Sequence, residues 1–196
     1  FDGSQDYDLL LRVTEKARGI HHIAKPLYNW RKAAGSAAMT PDAKHCAHDE
    51  GKKAIADALR RRGIEGEVED GPFWTSYRVR YKIQGRPLIS VLVPTKDRVD
   101  LLRRCLQSVK RVSTYPNYEV IVIDHQSENE DTRSYLRSLE DCTVARFEGE
   151  FNYSRLNNFA ADHARGEHLL FLNNDVEVVS PHWMESMLEH SQRHEV

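Results

Sequence analysis

The chain has 196 residues, of which 40% are hydrophobic and 30% are charged, a balance typical of a folded globular protein and too apolar for wholesale disorder. Its 28 lysines and arginines nearly cancel its 30 aspartates and glutamates, so no global positive field recruits nucleic acid. No apolar run approaches the ~20 residues that span a bilayer, and the 3 cysteines include no CxxC pair. We therefore expect a reduced cytoplasmic protein without a transmembrane segment and without a nucleic-acid partner.

The sequence of the first 86 residues predicts helices that are joined by irregular chain. Apolar side chains at Leu9, Leu10 and Val13 share one side of a short amphipathic helix. A second helical pattern, rich in Ala, Lys and Arg, stops at Gly63. The elements predicted here are a helix over 8–17, extended chain over 20–30, a linker over 31–41, a helix over 42–62 and an exposed strand over 77–81.

The character of the sequence changes at Pro87. Residues 88–94 are a nearly continuous apolar run, which is typical of a strand buried on both faces of a parallel sheet. Similar runs then alternate with amphipathic segments, and this order predicts a doubly wound α/β fold with a mostly parallel sheet flanked by helices. The predicted strands cover 88–94, 118–124, 143–147 and 168–172, and the predicted helices cover 99–110, 130–139 and 154–164, the last of them ended by Gly166.

Polar residues follow three of the predicted strands, at 94–98, 124–127 and 173–175. Ligands of such sheets bind at the carboxyl ends of the strands, so these clusters predict a site. Neither GxGxxG nor GxxxxGK[ST] is present, which argues against ordinary Rossmann dehydrogenases and P-loop NTPases. A carboxylate at Asp124 suits a ribose hydroxyl or a base edge, and one at Asp175 suits Mg²⁺ or Mn²⁺ beside diphosphate oxygens.

Together these segments resemble the nucleotide-binding half of family 2 glycosyltransferases, which have the GT-A fold. The Asn173-Asn174-Asp175 form, with residues 151–158, looks like the subgroup that acts in O-antigen and surface-polysaccharide synthesis, including rhamnosyltransferase-like proteins. The stretches that carry the resemblance are 89–95, 120–124 with Ser127, Asn158 eight residues before Gly166, and 171–175.

The resemblance implies a nucleoside-diphosphate-sugar donor, a saccharide or lipid-linked saccharide acceptor, inverting transfer, and Mg²⁺ or Mn²⁺ as cofactor. It also implies a place in the cytoplasm, with peripheral contact at the inner face of the membrane. The first Asp of the family's DxD motif is replaced by Asn173, and Lys96, Asp97 and His125-Gln126 also depart from the common pattern. The implied roles are Pro94, Thr95 and Lys96 along the nucleotide, Asp124 on the base, Asn158 near the ribose or diphosphate, Asn173 and Asp97 in the donor site, and Asp175 on the metal. Asp97 has a second interpretation as the N-cap of the following helix.

The first residues resemble the closing, acceptor-side part of such a transferase, in which the acid at the position of Asp6 is the general base. This part precedes the nucleotide half, so the economical interpretation is a piece of a tandem protein. Residues 1–35 would then end one transferase, 36–86 would be a linker with a helix and short strands, and 87–196 would be the nucleotide-sugar-binding half of the next. The rival interpretation is a nucleotide-binding or scaffolding module without catalysis.

Overall fold

The computed structural model describes residues 1, 3–29 and 41–193, without the side chains of 41–45. The chain divides into two compact units, Phe1–Lys82 and Ile83–Val196. Of the linker predicted over 31–41, residues 31–40 lie outside the described residues. The last residue, Pro41, begins a helix. Within the described ranges, no helix combines the length and the apolar character needed to cross a membrane.

The first unit contains two helices and a two-stranded hairpin, with α1 at Gln5–Lys16, α2 at Pro41–Arg61, β1 at Gly66–Asp70 and β2 at Tyr77–Tyr81. Helix α1 packs on α2, where the Arg61 guanidinium lies 2.7 Å from a carboxylate oxygen of Glu15. Gly63 follows α2 with φ 66°, as expected of a residue that ends a helix. The predicted extended chain over 20–30 forms neither a helix nor a strand in its described part, 20–29.

The second unit alternates strands and helices as predicted and adds one helix that was not predicted, α6. Its elements are β3 at Ile89–Thr95, α3 at Val99–Val112, β4 at Tyr118–Asp124, α4 at Glu130–Arg137, β5 at Thr143–Arg146, α5 at Tyr153–Ala161, β6 at His168–Phe171 and α6 at Trp183–Ser191.

The four strands of this unit form a sheet in the order β5-β4-β3-β6, and every neighbouring pair is parallel. Both faces of the sheet are covered, which explains why β3 and β4 are apolar throughout. On one face, Val91 and Val93 belong to a core with side chains of α3 and α6. On the other face, Leu92 belongs to a second core with Leu156 and Ala160 of α5.

Gly166 does not end α5, because that helix stops at Ala161. Gly166 is instead a point of close approach to β3. A Cβ at this position would lie 2.6 Å from the carbonyl oxygen of Leu88, and the Gly166 N–H donates to Ser90 Oγ at 2.9 Å. The requirement for glycine here is therefore the packing of one backbone against another.

Glu119 of β4 joins the same region through a network of hydrogen bonds. Its carboxylate accepts from the Ser90 hydroxyl at 2.6 Å and from the backbone and guanidinium of Arg165 at 2.7–2.9 Å. Burial alone raises the pKa of Glu119, but these hydrogen bonds and the charge of Arg165 outweigh it, so the pKa is lowered. The network fixes the segment that leads into β6.

Candidate functional site

The order of the strands places a topological switch point between β3 and β6, because the chain continues from β3 to β4 on one side and reaches β6 on the other. The ends of three strands are tied together here. The His125 N–H donates to the Thr95 carbonyl at 2.8 Å, and the Asn174 side-chain amide donates to Thr95 Oγ1 at 2.9 Å. Thr95 thus connects the end of β3 to the residues that follow β4 and β6 at this edge of the sheet.

A cleft of about 260 Å³ opens at this edge. Four of the residues predicted for the donor site line it, namely Pro94, Thr95, Lys96 and Asn173. The other residues that line the cleft are Arg98, Leu101, His125, Phe151, Tyr153, Leu156 and Asn174. The cleft thus combines two exposed cations, Lys96 and Arg98, with aromatic rings, a composition suited to an anionic ligand that carries a flat ring.

Asp97 does not line the cleft, and its interpretation as the N-cap of α3 is wrong. The N-cap residue is Arg98, and no side chain caps this helix. Instead, Asp97 Oδ1 accepts hydrogen bonds from the backbone N–H groups of Glu128 and Asn129 at 3.0 and 2.9 Å. The Asp97 carboxylate therefore fastens the loop after β3 to the loop after β4.

Asp124 lies at the end of β4 and is buried, with 5% of its surface exposed. Its Oδ1 accepts from the Ser127 N–H at 2.9 Å, and the Ser127 hydroxyl in turn accepts from the Asp97 N–H at 2.8 Å. The helix that follows is capped by Asn129, so Asp124 is not a helix cap. The carboxylate lies beneath the loops at the carboxyl edge and orders them.

The motif after β6 places an amide and a carboxylate near the cleft. Asn173 Oδ1 accepts a hydrogen bond from the Tyr153 hydroxyl at 3.2 Å. The Asn173 carbonyl accepts from the thiol of Cys105 at 3.6 Å. Burial raises the pKa of this thiol to about 11, and the negative charge of Asp175 adds to the rise. Because its pKa is raised, the thiol stays protonated and donates a hydrogen bond to the Asn173 carbonyl.

Asp175 is exposed, and it does not line the cleft. In the described part of the chain, no three His, Cys, Asp or Glu residues are grouped to hold a metal ion. The oxygens available at the motif are the Asp175 carboxylate and the Asn173 amide. Mg²⁺ is commonly held by one or two carboxylates together with substrate phosphates and water, and this small donor set fits that mode.

Neither Asn158 nor Asp6 is among the residues that line the cleft. Asn158 is exposed on α5 and is absent from the cleft lining. Asp6 lies in the first turn of α1 in the first unit and is exposed. An acid at that place is favoured by the helix dipole irrespective of any catalytic role. The predicted roles of both residues remain predictions.

Seven residues that line the cleft were not predicted as site residues, namely Arg98, Leu101, His125, Phe151, Tyr153, Leu156 and Asn174. Three of them, Arg98, His125 and Asn174, belong to the polar clusters after β3, β4 and β6, so their positions in the sequence already indicated this edge of the sheet. Phe151 and Tyr153 precede or begin α5, and no periodicity marks them. They reach the cleft because α5 packs against β3 and β4.

Comparisons with known proteins agree with this geometry. The sequence model of the family described as "Glycosyl transferase family 2" matches residues 90–196. The chain is 41% identical to the uncharacterized protein y4gI of Sinorhizobium fredii over 98% of its length, which is 22% of that protein. It is 39% identical to the O-antigen biosynthesis protein RfbC of Myxococcus xanthus over 100% of its length, which is 16% of that protein.

A solved structure shares the fold. The mannosyltransferase PcManGT from Pyrobaculum calidifontis, in complex with GDP-Man and Mn²⁺, superposes with a TM-score of 0.51 and 21% sequence identity. The match covers 79% of this chain and 44% of that one. The predicted α/β fold, with a parallel sheet flanked by helices as in GT-A glycosyltransferases, is confirmed.

Proposed function

Because this chain belongs to glycosyl transferase family 2, we propose that it supplies the donor-binding half of a glycosyltransferase whose donor is a nucleoside-diphosphate sugar. The observation that carries the proposal is the cleft at the carboxyl edge, where the ends of β3, β4 and β6 meet at the switch point of a parallel sheet. Such crevices bind nucleotides in open α/β sheets. The chain spans 22% and 16% of the two relatives above, so the activity of the whole protein is part of the proposal.

The roles that we propose follow from the chemistry of the side chains that line the cleft. Pro94, Thr95 and Lys96 run along the nucleotide, and the exposed cations of Lys96 and Arg98 neutralise the diphosphate. We assign Asp124 to the nucleobase, and its buried carboxylate also orders the loop after β4 by accepting from the Ser127 N–H. Asp97 fastens the loop after β3 to the loop after β4, and Asn158 remains assigned to the ribose or diphosphate.

The proposed cofactor is Mg²⁺ or Mn²⁺, held by Asp175 with the amide oxygen of Asn173 and the donor phosphates. A bound divalent ion would supply charge stabilisation to the departing diphosphate. The Tyr153 hydroxyl holds the Asn173 amide in place, and the Cys105 thiol holds the carbonyl of the same residue. These contacts orient the motif at the mouth of the cleft.

For the whole protein, we propose inverting transfer to a saccharide or lipid-linked saccharide in surface-polysaccharide synthesis, at the inner face of the cytoplasmic membrane. In inverting transfer, a carboxylate removes the proton of the attacking hydroxyl as the donor bond breaks. We assign that role in a preceding transferase domain to Asp6, with 1–35 as its end, 36–86 as the linker and 87–196 as the start of the next domain. The match of 98% and 100% of the chain to two longer proteins supports a multidomain parent.

A second candidate is a nucleotide-binding or scaffolding module without catalysis. It is favoured by Asn173, which replaces a carboxylate of the metal motif and whose oxygen is already engaged by Tyr153. This candidate predicts nucleotide binding that does not change when divalent metal is removed.

Calorimetric titration of UDP, GDP and dTDP, with and without Mn²⁺, tests the proposal. We expect one nucleotide to bind in a metal-dependent manner, and its affinity to fall at least tenfold in Asp175→Ala. Asp124→Ala, which removes the acceptor for the Ser127 N–H, should lower affinity with and without the metal. Asp162→Ala, a change at an exposed acid after α5, is the control and should bind normally. Absence of binding to a chain shown to be folded would contradict the proposal.

A further inference from the structure

The solvent face of helix α3 is strongly basic. It carries four exposed cations, namely Arg103, Arg104, Lys110 and Arg111. The helix contains one acid, Asp100, and this acid pairs with Arg98 at 3.4 Å. The helix dipole favours cations in the last turn of a helix and so accounts for Lys110 and Arg111. It does not account for the two arginines in the middle of the helix.

Two of these four cations have partners. Lys110 pairs with Asp141, and the Arg103 guanidinium lies 4.9 Å from the centre of the Tyr135 ring. Arg104 and Arg111 form neither an ion pair nor a hydrogen bond within the part of the chain that the structure describes. Both line a shallow cleft of about 350 Å³. Seven residues of helix separate them, about 10 Å along the axis, so an array of phosphates fits this pair better than a single phosphate does.

The chain after β6 adds an apolar side chain to this face. The Val178 N–H donates to Ser108 Oγ of α3 at 2.9 Å, and the Pro181 carbonyl accepts from the Thr114 N–H at 3.1 Å. These two bonds hold the segment beside the last turns of α3. Val178 is buried there, whereas the side chain of Val179 is 87% exposed. A fully presented aliphatic side chain therefore borders the basic face.

We infer that the basic face of α3, with Val179, is the surface by which the chain docks on an anionic phospholipid bilayer. Guanidinium groups bind phosphates well, and each cation near an anionic membrane raises the affinity by about fivefold. The net charge of the whole chain is −2, so this attraction is local to the face. An apolar side chain gains by entering the boundary between headgroups and acyl chains. A nucleic acid would use the arginines but would offer no apolar contact to Val179.

The inference deepens the function proposed above and rests on it for its purpose. Leu101, one turn before Arg104 on the same helix, lines the donor cleft. A bilayer along the basic face would therefore lie near that cleft. Transfer to a lipid-linked saccharide requires this proximity, because such an acceptor is anchored in the membrane.

The test measures sedimentation of the full chain with vesicles of equal parts phosphatidylcholine and phosphatidylglycerol, and with vesicles of phosphatidylcholine alone. We expect at least tenfold tighter binding to the anionic vesicles, weakened by added salt. The double variant Arg104→Gln/Arg111→Gln, which keeps good helix formers, should bind them at least tenfold more weakly. Val179→Ser should weaken binding at least threefold. Arg86→Gln/Arg137→Gln changes the net charge equally at exposed arginines outside α3 and should bind within about threefold of the wild type.

Three results would overturn the inference. They are equal binding to the two kinds of vesicle or to neither, an unchanged affinity in the Arg104→Gln/Arg111→Gln variant, and tighter binding to duplex DNA than to anionic vesicles. The proposed function is tested separately by nucleotide titration, which this double variant should leave unchanged because neither arginine lines the donor cleft. A folded chain that binds anionic vesicles through α3 but binds no nucleotide would contradict the proposed function alone.

Discussion

Replacement of Gly166 by alanine should destabilise the second unit and displace the strand that leads to Asn173-Asn174-Asp175. The added Cβ would lie 2.6 Å from the Leu88 carbonyl oxygen and 2.7 Å from the backbone nitrogen of Ser90, closer than the 3.0 Å below which real Cβ atoms essentially never approach. Both obstacles are backbone atoms and cannot rotate away. Overpacking costs about 1–3 kcal/mol, and loss of the Gly166 N–H bond to Ser90 adds about 1 kcal/mol. We expect the free energy of unfolding to fall by about 2–4 kcal/mol.

Urea denaturation followed by the fluorescence of Trp183 measures this loss in the second unit. The other two tryptophans, Trp30 and Trp74, are first replaced by phenylalanine so that Trp183 alone reports. Gly85→Ala is the matched control, because its Cβ would meet nothing within 4 Å and only its φ of 68° is unfavourable. The control should lose about 1 kcal/mol. A Gly166→Ala variant that is no less stable than the control would refute the packing argument.

Two further predictions concern charged groups at loops and strand starts. Asp97→Ala removes the acceptor for the N–H groups of Glu128 and Asn129 and should lower the free energy of unfolding by about 1–3 kcal/mol. Asp97→Asn keeps an acceptor oxygen, so its loss of stability should be smaller. Equal losses of the two variants in urea denaturation would contradict the proposal that Asp97 fastens the two loops. The lowered pKa of Glu119 predicts stability that is present above about pH 4.5 and lost as the pH falls below it, because the folded state must then give up its bonds to Arg165. The difference in stability between the wild type and Glu119→Gln should therefore shrink on acidification, and a difference independent of pH would contradict the assignment.

The sequence predicted the strands of the second unit well because their environment leaves a strong signal. Strands β3 and β4 are covered on both faces, so they are apolar throughout, and their predicted bounds differ from the observed ones by at most one residue. Strand β1 was missed because it alternates acids around Val68 and is held by its pairing with β2. Helix α6 was missed because its nine residues carry only a weak pattern, and its place depends on the burial of Met184 and Leu188 against the sheet.

From the sequence we predicted the strand ends that carry the candidate site, but not the contacts that the side chains make there. The rule that ligands bind at the carboxyl ends of parallel strands pointed to Thr95, Lys96 and Asn173, and all three line the cleft. It could not show that Asp97 turns toward the neighbouring loop, because that orientation depends on the backbone dihedrals of the loop. Nor could it show Tyr153 beside Asn173, since this contact arises from the packing of α5 on the sheet.

Backbone strain provides independent support for the carboxyl edge as a functional site. Of the four non-glycine residues with positive φ in the described chain, three lie in the loops after β3 and β4, namely Asp97, Arg98 and Gln126, with φ of 54°, 51° and 55°. Each left-handed residue costs energy that glycine would avoid, and such strain persists where the surroundings enforce it. Each of these side chains makes a contact that glycine, which has no side chain, could not make. Asp97 fastens two loops, Arg98 lines the cleft, and the Gln126 amide donates to Glu148 at 2.8 Å. The strain at Asp97 and Arg98 is thus coupled to side chains that fasten the loops of this edge or line its cleft.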